Sequence, residues 1–418
     1  MLAVVINCQN INNNKDTVMP HSLVSSNNKP WILSGSELSP FHLKVAAILR
    51  AKKIPFRDFP SEGNTFENVR IQLRLKLLKA GLLKLTYPEF TEYDEFPLVP
   101  FLFGPNGENL YDSSAIASWL DRNTDTDSVV NAGDDKQNFL IQLIDEYFDE
   151  FGLYMVHHSR WKTSATNNTA GRRLANEMPA IAAPFRSMID DFFSHRQIRR
   201  LPYLFSVAPK DFQIEGLSKK KQPPSHHDCP ATHGLIESSY LNILNALEPI
   251  FETRPYLFGQ RFTLADASLY GQLGMNLTDP SAAQWIETTA PHVFAWLNRV
   301  HQGDFSDHKP DSTLMIDDLL KPLLTEIVRI FYPLMKQNEV AYDQYKRAGE
   351  TQFNEPAFWR GKCLYQGELD GQAFSSVAKS FQVKTWRQIK QHWQQLPPKS
   401  QTELAELFSG IDTLAAID

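Results

Sequence analysis

Residues 98–116 read LVPFLFGPNGENLYDSSAI, and this stretch decides the fold. Two apolar runs, Leu98 to Phe103 and Asn109 to Tyr111, flank Gly104-Pro105-Asn106-Gly107, turn chemistry that predicts a β-hairpin. Pro100 removes a ladder donor from the first run, which fits a special turn with a cis Val99–Pro100 peptide; an ordinary trans edge proline is the alternative. Asp112 and Ser113 follow the second strand without a linker and open a helix over Ser113 to Leu120, with Ile116, Trp119 and Leu120 inward.

Working outward, Trp31 to Ser34 reads as a strand, Gly35 to Pro40 as a loop, and Phe41 to Lys53 as a helix carrying Phe41, Val45, Ile48 and Leu49 at helical spacing. Ile54 to Phe59 is a second strand, and Phe66 to Leu85 a helix with Val69, Leu73, Leu77 and Leu78 on its inner face. That order requires a parallel crossover and then a hairpin, and is that of an α/β thioredoxin-like domain over residues 30–123. Residues 1–29, apolar only as far as Ile6 and then rich in Asn and Ser, read as a flexible tail.

Beyond a polar linker, Thr124 to Gly133, helical stripes predict an all-helical domain over residues 137–303. Residues 304–418 form an extension of unknown role. It reads as helical to about Arg347, then as a small mixed appendage in which Asp370-Gly371 turns between two β-prone runs, Cys363 to Tyr365 and Val377 to Trp386.

The 418 residues carry 42 Lys plus Arg against 48 Asp plus Glu, a formal charge of −6, which gives no global attraction to nucleic acid or anionic lipid. No run approaches the roughly 18 apolar residues of a membrane span. The three cysteines, Cys8, Cys229 and Cys363, form no CxxC pair, so no disulfide framework or paired-thiol centre is read from them. A reducing, cytoplasmic setting fits.

Ser39 precedes Pro40, a residue favoured at the first helical position, so its hydroxyl falls where unpaired amides and the helix dipole favour an anion such as a thiolate. The commoner task of such a serine is to cap the helix, and Ser34 and Ser36 stand nearby. Asp112 and Ser113 are open to the same two readings: an ordinary capping pair, or a hydroxyl and helix amides offered to a carboxylate. Thr263 and Asp266, three apart with Phe262 ahead of them, are an aspartate version of a capping box, predicted to serve folding and not turnover. Tyr147, Phe151, Tyr154 and His158 make an aromatic stripe that is either core or the wall of a hydrophobic pocket. His226, His227, Cys229 and His233 are zinc-ligand types, but their spacing matches no structural zinc pattern; the loop Lys219 to His233 reads as solvated, and no metal is expected.

Three local motifs together resemble the glutathione transferase superfamily over roughly residues 30–300: Ser39-Pro40-Phe41, similar to serine-type members; Val99-Pro100 with Asp112-Ser113-Ser114-Ala115-Ile116; and Phe262-Thr263-Leu264-Ala265-Asp266. The resemblance implies glutathione as co-substrate, with the Ser39 hydroxyl activating its thiol. It also implies Asp112 and Ser113 at the γ-glutamyl end, and the backbone of Val99 beside Pro100 on the cysteinyl part. The helical domain would hold a small hydrophobic electrophile, with Tyr147 and Tyr154 as candidates, in a homodimer engaged in detoxification by conjugation; peroxide reduction or isomerisation would use the same thiolate. A non-catalytic binding or scaffold protein of the same fold is the alternative. Asp112 stands where the family usually has Glu, and neither the acidic stretch Glu89 to Glu95 nor residues 304–418 is accounted for.

Overall fold

Strand β1 (Trp31–Ser34) pairs in parallel with β2 (Phe56–Phe59) and antiparallel with β3 (Phe101–Phe103), which pairs antiparallel with β4 (Asn109–Tyr111). The sheet order is β2-β1-β3-β4. This is a computed structural model, and it describes residues 29–94, 99–178, 186–226 and 228–408; Met1 to Asn28 of the expected tail, Leu98 and His227 lie outside them. Helix α1 (Pro40–Ala51) crosses from β1 to β2, α2 (Thr65–Lys79) leads from β2 toward the hairpin, and α3 (Ser113–Asn123) follows it. The hairpin turns through Gly107 at φ 101°, a conformation that favours glycine, with its N–H donating to the Gly104 carbonyl at 3.2 Å. The Val99–Pro100 peptide is cis, as the turn pattern anticipates.

The inner face of α2 is the expected one at Leu78 but not at Val69 and Leu73. Ile71, Leu75 and Leu78 pack against Phe59, Phe101 and Phe103, while Val69 and Leu73 are exposed. Apolar residues occur all round this helix, so spacing did not single out a face. Its rotation agrees with Arg74, which donates to Asn109 Oδ1 at 2.7 Å and lays its guanidinium over the Phe103 ring at 4.4 Å.

The segment expected as a free linker is anchored: the Asp121 carboxylate accepts from the N–H groups of Val129 and Val130. Helix α4 (Asp135–Tyr147) runs through a π turn (Phe148–Gly152) into α5 (Leu153–His158) and a second π turn (Ser159–Thr163). Then come α6 (Ala170–Asn176), α7 (Arg186–Arg199), α8 (His233–Thr253), α9 (Leu264–Leu273), α10 (Pro280–Thr289) and α11 (Pro291–His301). Buried α9 lies against α1, and Gly271 permits the approach, since a Cβ there would stand 2.6 Å from the Pro40 carbonyl oxygen.

In the C-terminal segment, α12 (Lys321–Glu326) passes through a π turn (Ile327–Phe331) into α13 (Tyr332–Arg347), followed by α14 (Glu355–Trp359), β5 (Leu364–Leu369), β6 (Gln372–Val377), α15 (Ser380–Gln395) and α16 (Pro398–Leu407). Asp370 and Gly371 both have positive φ, the turn that Asp-Gly favours between paired strands. Of the run read as β-prone, only Val377 belongs to a strand. From Ser380 onward it is helical, because Val383, Trp386, Ile389 and Trp393 recur at three to four residues and are buried together. Trp386, Ile389 and Trp393 share one core with α1, α4, α8 and α9, and the Trp393 and Phe139 rings lie 5.4 Å apart. Among the described residues, no helix is long and apolar enough to cross a membrane.

Candidate active site

A cavity of about 1200 Å³ opens where the sheet domain, α4–α5 and the C-terminal segment meet. Val99, Pro100, Asp112 and Ser113 form one wall. The backbone of Asp112 stands at φ 67°, ψ 123°, an uncommon conformation for a residue with a Cβ, and its carboxylate caps α3 by accepting from the Ala115 N–H at 3.0 Å. Val99 is exposed to the cavity while Pro100 and Ser113 are largely buried beside it.

Ser39 sits at the N-terminus of α1, as expected, and its hydroxyl forms no capping bond. It does not line the cavity, whereas Phe41, two residues on, does. The loop before it is buttressed by residues outside the sheet domain: Leu38 is buried among Trp161, Ala170, Ile198 and Leu201. Ser34 is buried, and Ser36 interacts with Glu177, whose carboxyl burial pushes up.

The aromatic stripe divides. Tyr154 lines the cavity, and its hydroxyl accepts from Gln382 Nε2 at 3.0 Å and from the Lys379 ammonium, which also lies over its ring. Tyr147 does not reach the cavity, contrary to its expected place in the pocket. It is fully buried with its ring edge-on to Phe331, 5.8 Å away, and against Phe148 and Phe151. Two features explain this. The π turn after Tyr147 adds a residue to the helical turn and breaks the 3.6-residue register of the stripe, and the C-terminal segment covers that side of α4.

The same π turn gathers charge that the stripe concealed. Lys44, on α1, is buried and reaches Asp145 at 2.5 Å, Asp149 at 2.7 Å and the Ser114 hydroxyl at 2.7 Å. Burial opposes its charge, but the two carboxylates outweigh this and hold the ammonium above the ordinary lysine range. Glu146 and Glu150 extend the group along the cavity wall. Burial raises all four acids: Asp149 to about 7 against the pull of Lys44, and Glu150 to about 8, helped by Asp149 and opposed by Lys379. One buried ammonium cannot compensate four carboxylates, so part of this group is protonated at neutral pH. The signal was present as Asp145-Glu146 and Asp149-Glu150, four acids inside an apolar helix.

The opposite wall comes from α15 and the residue before it, Lys379, with Gln382, Lys384 and Thr385 facing the cavity. Nothing in the local sequence links these residues to Val99 or Asp112. Thr263 and Asp266 form the expected box at α9, and neither lines the cavity: the buried Asp266 carboxylate accepts from the Thr263 N–H and hydroxyl at 2.9 and 2.8 Å and from the Leu257 N–H at 2.7 Å. The histidine-rich loop is not simply solvated. Cys229 is buried, with the His226 ring 4.9 Å from that of Phe358, and His233 begins α8.

Among curated proteins, no sequence matches this chain significantly. Solved structures similar to it include glutathione S-transferases from Ceriporiopsis subvermispora, in complex with glutathione (18% identity, TM-score 0.41, covering 68% of this chain and 100% of that one), and from Methylobacillus flagellatus, with glutathione bound (15%, 0.32, 68% and 100%). A third is that of Rhodospirillum rubrum (14%, 0.36, 70% and 99%). The family signature described as glutathione S-transferase, N-terminal domain, matches residues 38–123, and that of the glutathione S-transferase C-terminal domain matches residues 238–303. With both signatures in chain order on a thioredoxin-like sheet domain followed by helices, residues 38–123 and 238–303 carry the N-terminal and C-terminal domains of the glutathione S-transferase family.

Proposed function

We propose that this protein is a glutathione transferase: it binds glutathione along Val99 and Pro100, with its γ-glutamyl end at Asp112 and Ser113, and passes the thiol to a hydrophobic electrophile. One observation carries the reading, namely that Val99, Pro100, Asp112 and Ser113, at the two ends of the hairpin, line a single cavity large enough for a tripeptide and a second molecule. The Val99 backbone, at the cavity wall beside Pro100, is the part assigned to pairing with the peptide as an added strand. Ser39, at the amino end of α1 with a hydroxyl that makes no capping bond, is the residue assigned to holding the thiol in its ionised form. Phe41, Leu153, Leu204 and Phe381 give part of the cavity the apolar lining that an electrophile of this class needs. A homodimer and a cytoplasmic setting complete the reading.

A second reading, a binding protein without turnover, is favoured by the place of Ser39 just behind the cavity lining. Immobilised glutathione and a thiol-transfer assay separate the two. Retention, with activity that falls about a hundredfold or more in Ser39→Ala while its circular dichroism is unchanged, supports the transferase. Retention with no activity in the wild type supports the binding protein, and failure to be retained overturns both.

A further inference from the structure

His158, at the end of α5, and His233, the first residue of α8, meet with Nε2 and Nδ1 2.8 Å apart. One turn along α8, the Glu237 Oε2 oxygen stands 3.7 Å from His233 Nε2. One donor atom from each of the three lies within 4.8 Å of those of the others. Neither the glutathione reading nor the helix caps use these residues.

We propose that His158, His233 and Glu237 form a binding site for a divalent transition metal ion of the zinc class. Two imidazoles and a carboxylate are a donor set that such ions favour over calcium or magnesium, and three protein ligands leave a position for water. The His158 side chain is buried and that of His233 is largely so, which holds both rings in fixed positions at the junction of α5 and α8. Two nitrogens bound to one zinc at the usual length and a tetrahedral angle stand about 3.3 Å apart, so with His233 ligating through Nδ1 the two rings open by about half an ångström, and the Glu237 carboxylate turns from the Nε2 edge of His233 toward the ion.

The surroundings suit ligation. Lys162 engages Glu237 Oε1 at 2.5 Å and leaves Oε2 turned toward His233, orienting the carboxylate. The Phe212 ring covers His233, with centroids 4.8 Å apart. Access is open from one side, because the Glu237 side chain is 41% exposed while that of His233 is 15% exposed. The ion would join the end of α5 to the start of α8, one helical turn beyond Tyr154 and the cavity.

The test uses the full-length protein after chelation and dialysis. Zn²⁺ is titrated with bound metal measured by mass spectrometry, and Co²⁺ is titrated for its visible ligand-field bands. One equivalent should bind to the wild type and to a His292→Gln control, whose His–Glu pair lies elsewhere on the surface. Affinity should fall more than about tenfold in Glu237→Gln and in His233→Gln. Glu237→Gln changes a partly exposed side chain, so loss of folding cannot stand in for loss of ligation. A wild type that binds no equivalent, or metal held equally by the wild type and either variant, overturns the proposal and leaves a hydrogen-bonded histidine pair.

Discussion

Lys384 on α15 donates to Asp94 Oδ1 at 2.6 Å, joining residues 290 positions apart across the mouth of the cavity. Arg387 reinforces the join by donating to the Tyr93 hydroxyl at 2.7 Å, and Lys346 reaches Glu92 at 3.2 Å. The acidic stretch and the C-terminal segment, neither of which the family motifs account for, are therefore two halves of one contact that walls the candidate site.

Removing the cation from that contact should loosen the wall. Burial alone would raise the Asp94 carboxyl, but hydrogen bonds from Lys384 and Thr91 outweigh it and hold the group below the ordinary aspartate range. A depressed carboxylate contributes stability above its unfolded pKa and loses that contribution as pH falls through the folded value. Lys384→Ala should cost about 1 to 3 kcal/mol at pH 7 and speed proteolytic cutting near residues 89–94, with the penalty shrinking in acid. Urea unfolding at pH 7 and pH 4, with limited chymotrypsin digestion, which cuts after Phe90 and Tyr93, measures both.

The buried acids give the opposite sign. Asp149 and Glu150 titrate at about 7 and about 8 in the folded protein, above the usual carboxylate range, so the native state holds protons that the unfolded chain has released. Their contribution is fully present below about pH 4 and is lost as pH rises through the folded values. Melting temperature should therefore decline between pH 5 and pH 8, and Glu150→Gln, which carries no charge to bury, should flatten the decline. A wild-type profile rising over that interval would contradict the assignment.

The box at α9 should serve folding without touching chemistry. Asp266 satisfies three donors from a fully buried position, and burial pushes its carboxyl up to about 6. Thr263→Ala should cost about 1 to 2 kcal/mol, and Asp266→Ala more, because it leaves buried N–H groups without an acceptor. Denaturant midpoints should shift while activity per folded molecule stays constant.

How far the sequence could be read depends on how local each signal is. The hairpin, the cis Val99–Pro100 and the α9 box were legible because Gly104 to Gly107, Pro100 and Thr263 with Asp266 act within a few residues. The face of α2 was not legible, since apolar side chains surround it and its orientation goes with Arg74 reaching Asn109, 35 residues away. The far wall of the cavity was invisible for the same reason: Gln382 meets Tyr154 across 228 positions. The π turn after Tyr147 changes helical register in mid-stripe, which a regular 3.6-residue reading cannot follow.

The two tyrosines of that stripe should respond oppositely to the same change. The Tyr147 hydroxyl is buried and finds no hydrogen-bond partner among the described residues, so it retains a desolvation penalty that its ring packing must offset. Tyr147→Phe removes that oxygen and nothing else, and stability should hold or rise by up to about 1 kcal/mol, with thiol-transfer activity unchanged. Tyr154 accepts from Gln382 and Lys379, so Tyr154→Phe strips an acceptor from both donors. Stability should fall by about 1 to 3 kcal/mol, and the wall formed by α15 should loosen around the cavity. Thermal unfolding of the two variants beside the wild type decides it: a Tyr147→Phe protein as unstable as Tyr154→Phe would show that the first hydroxyl has a partner in solution.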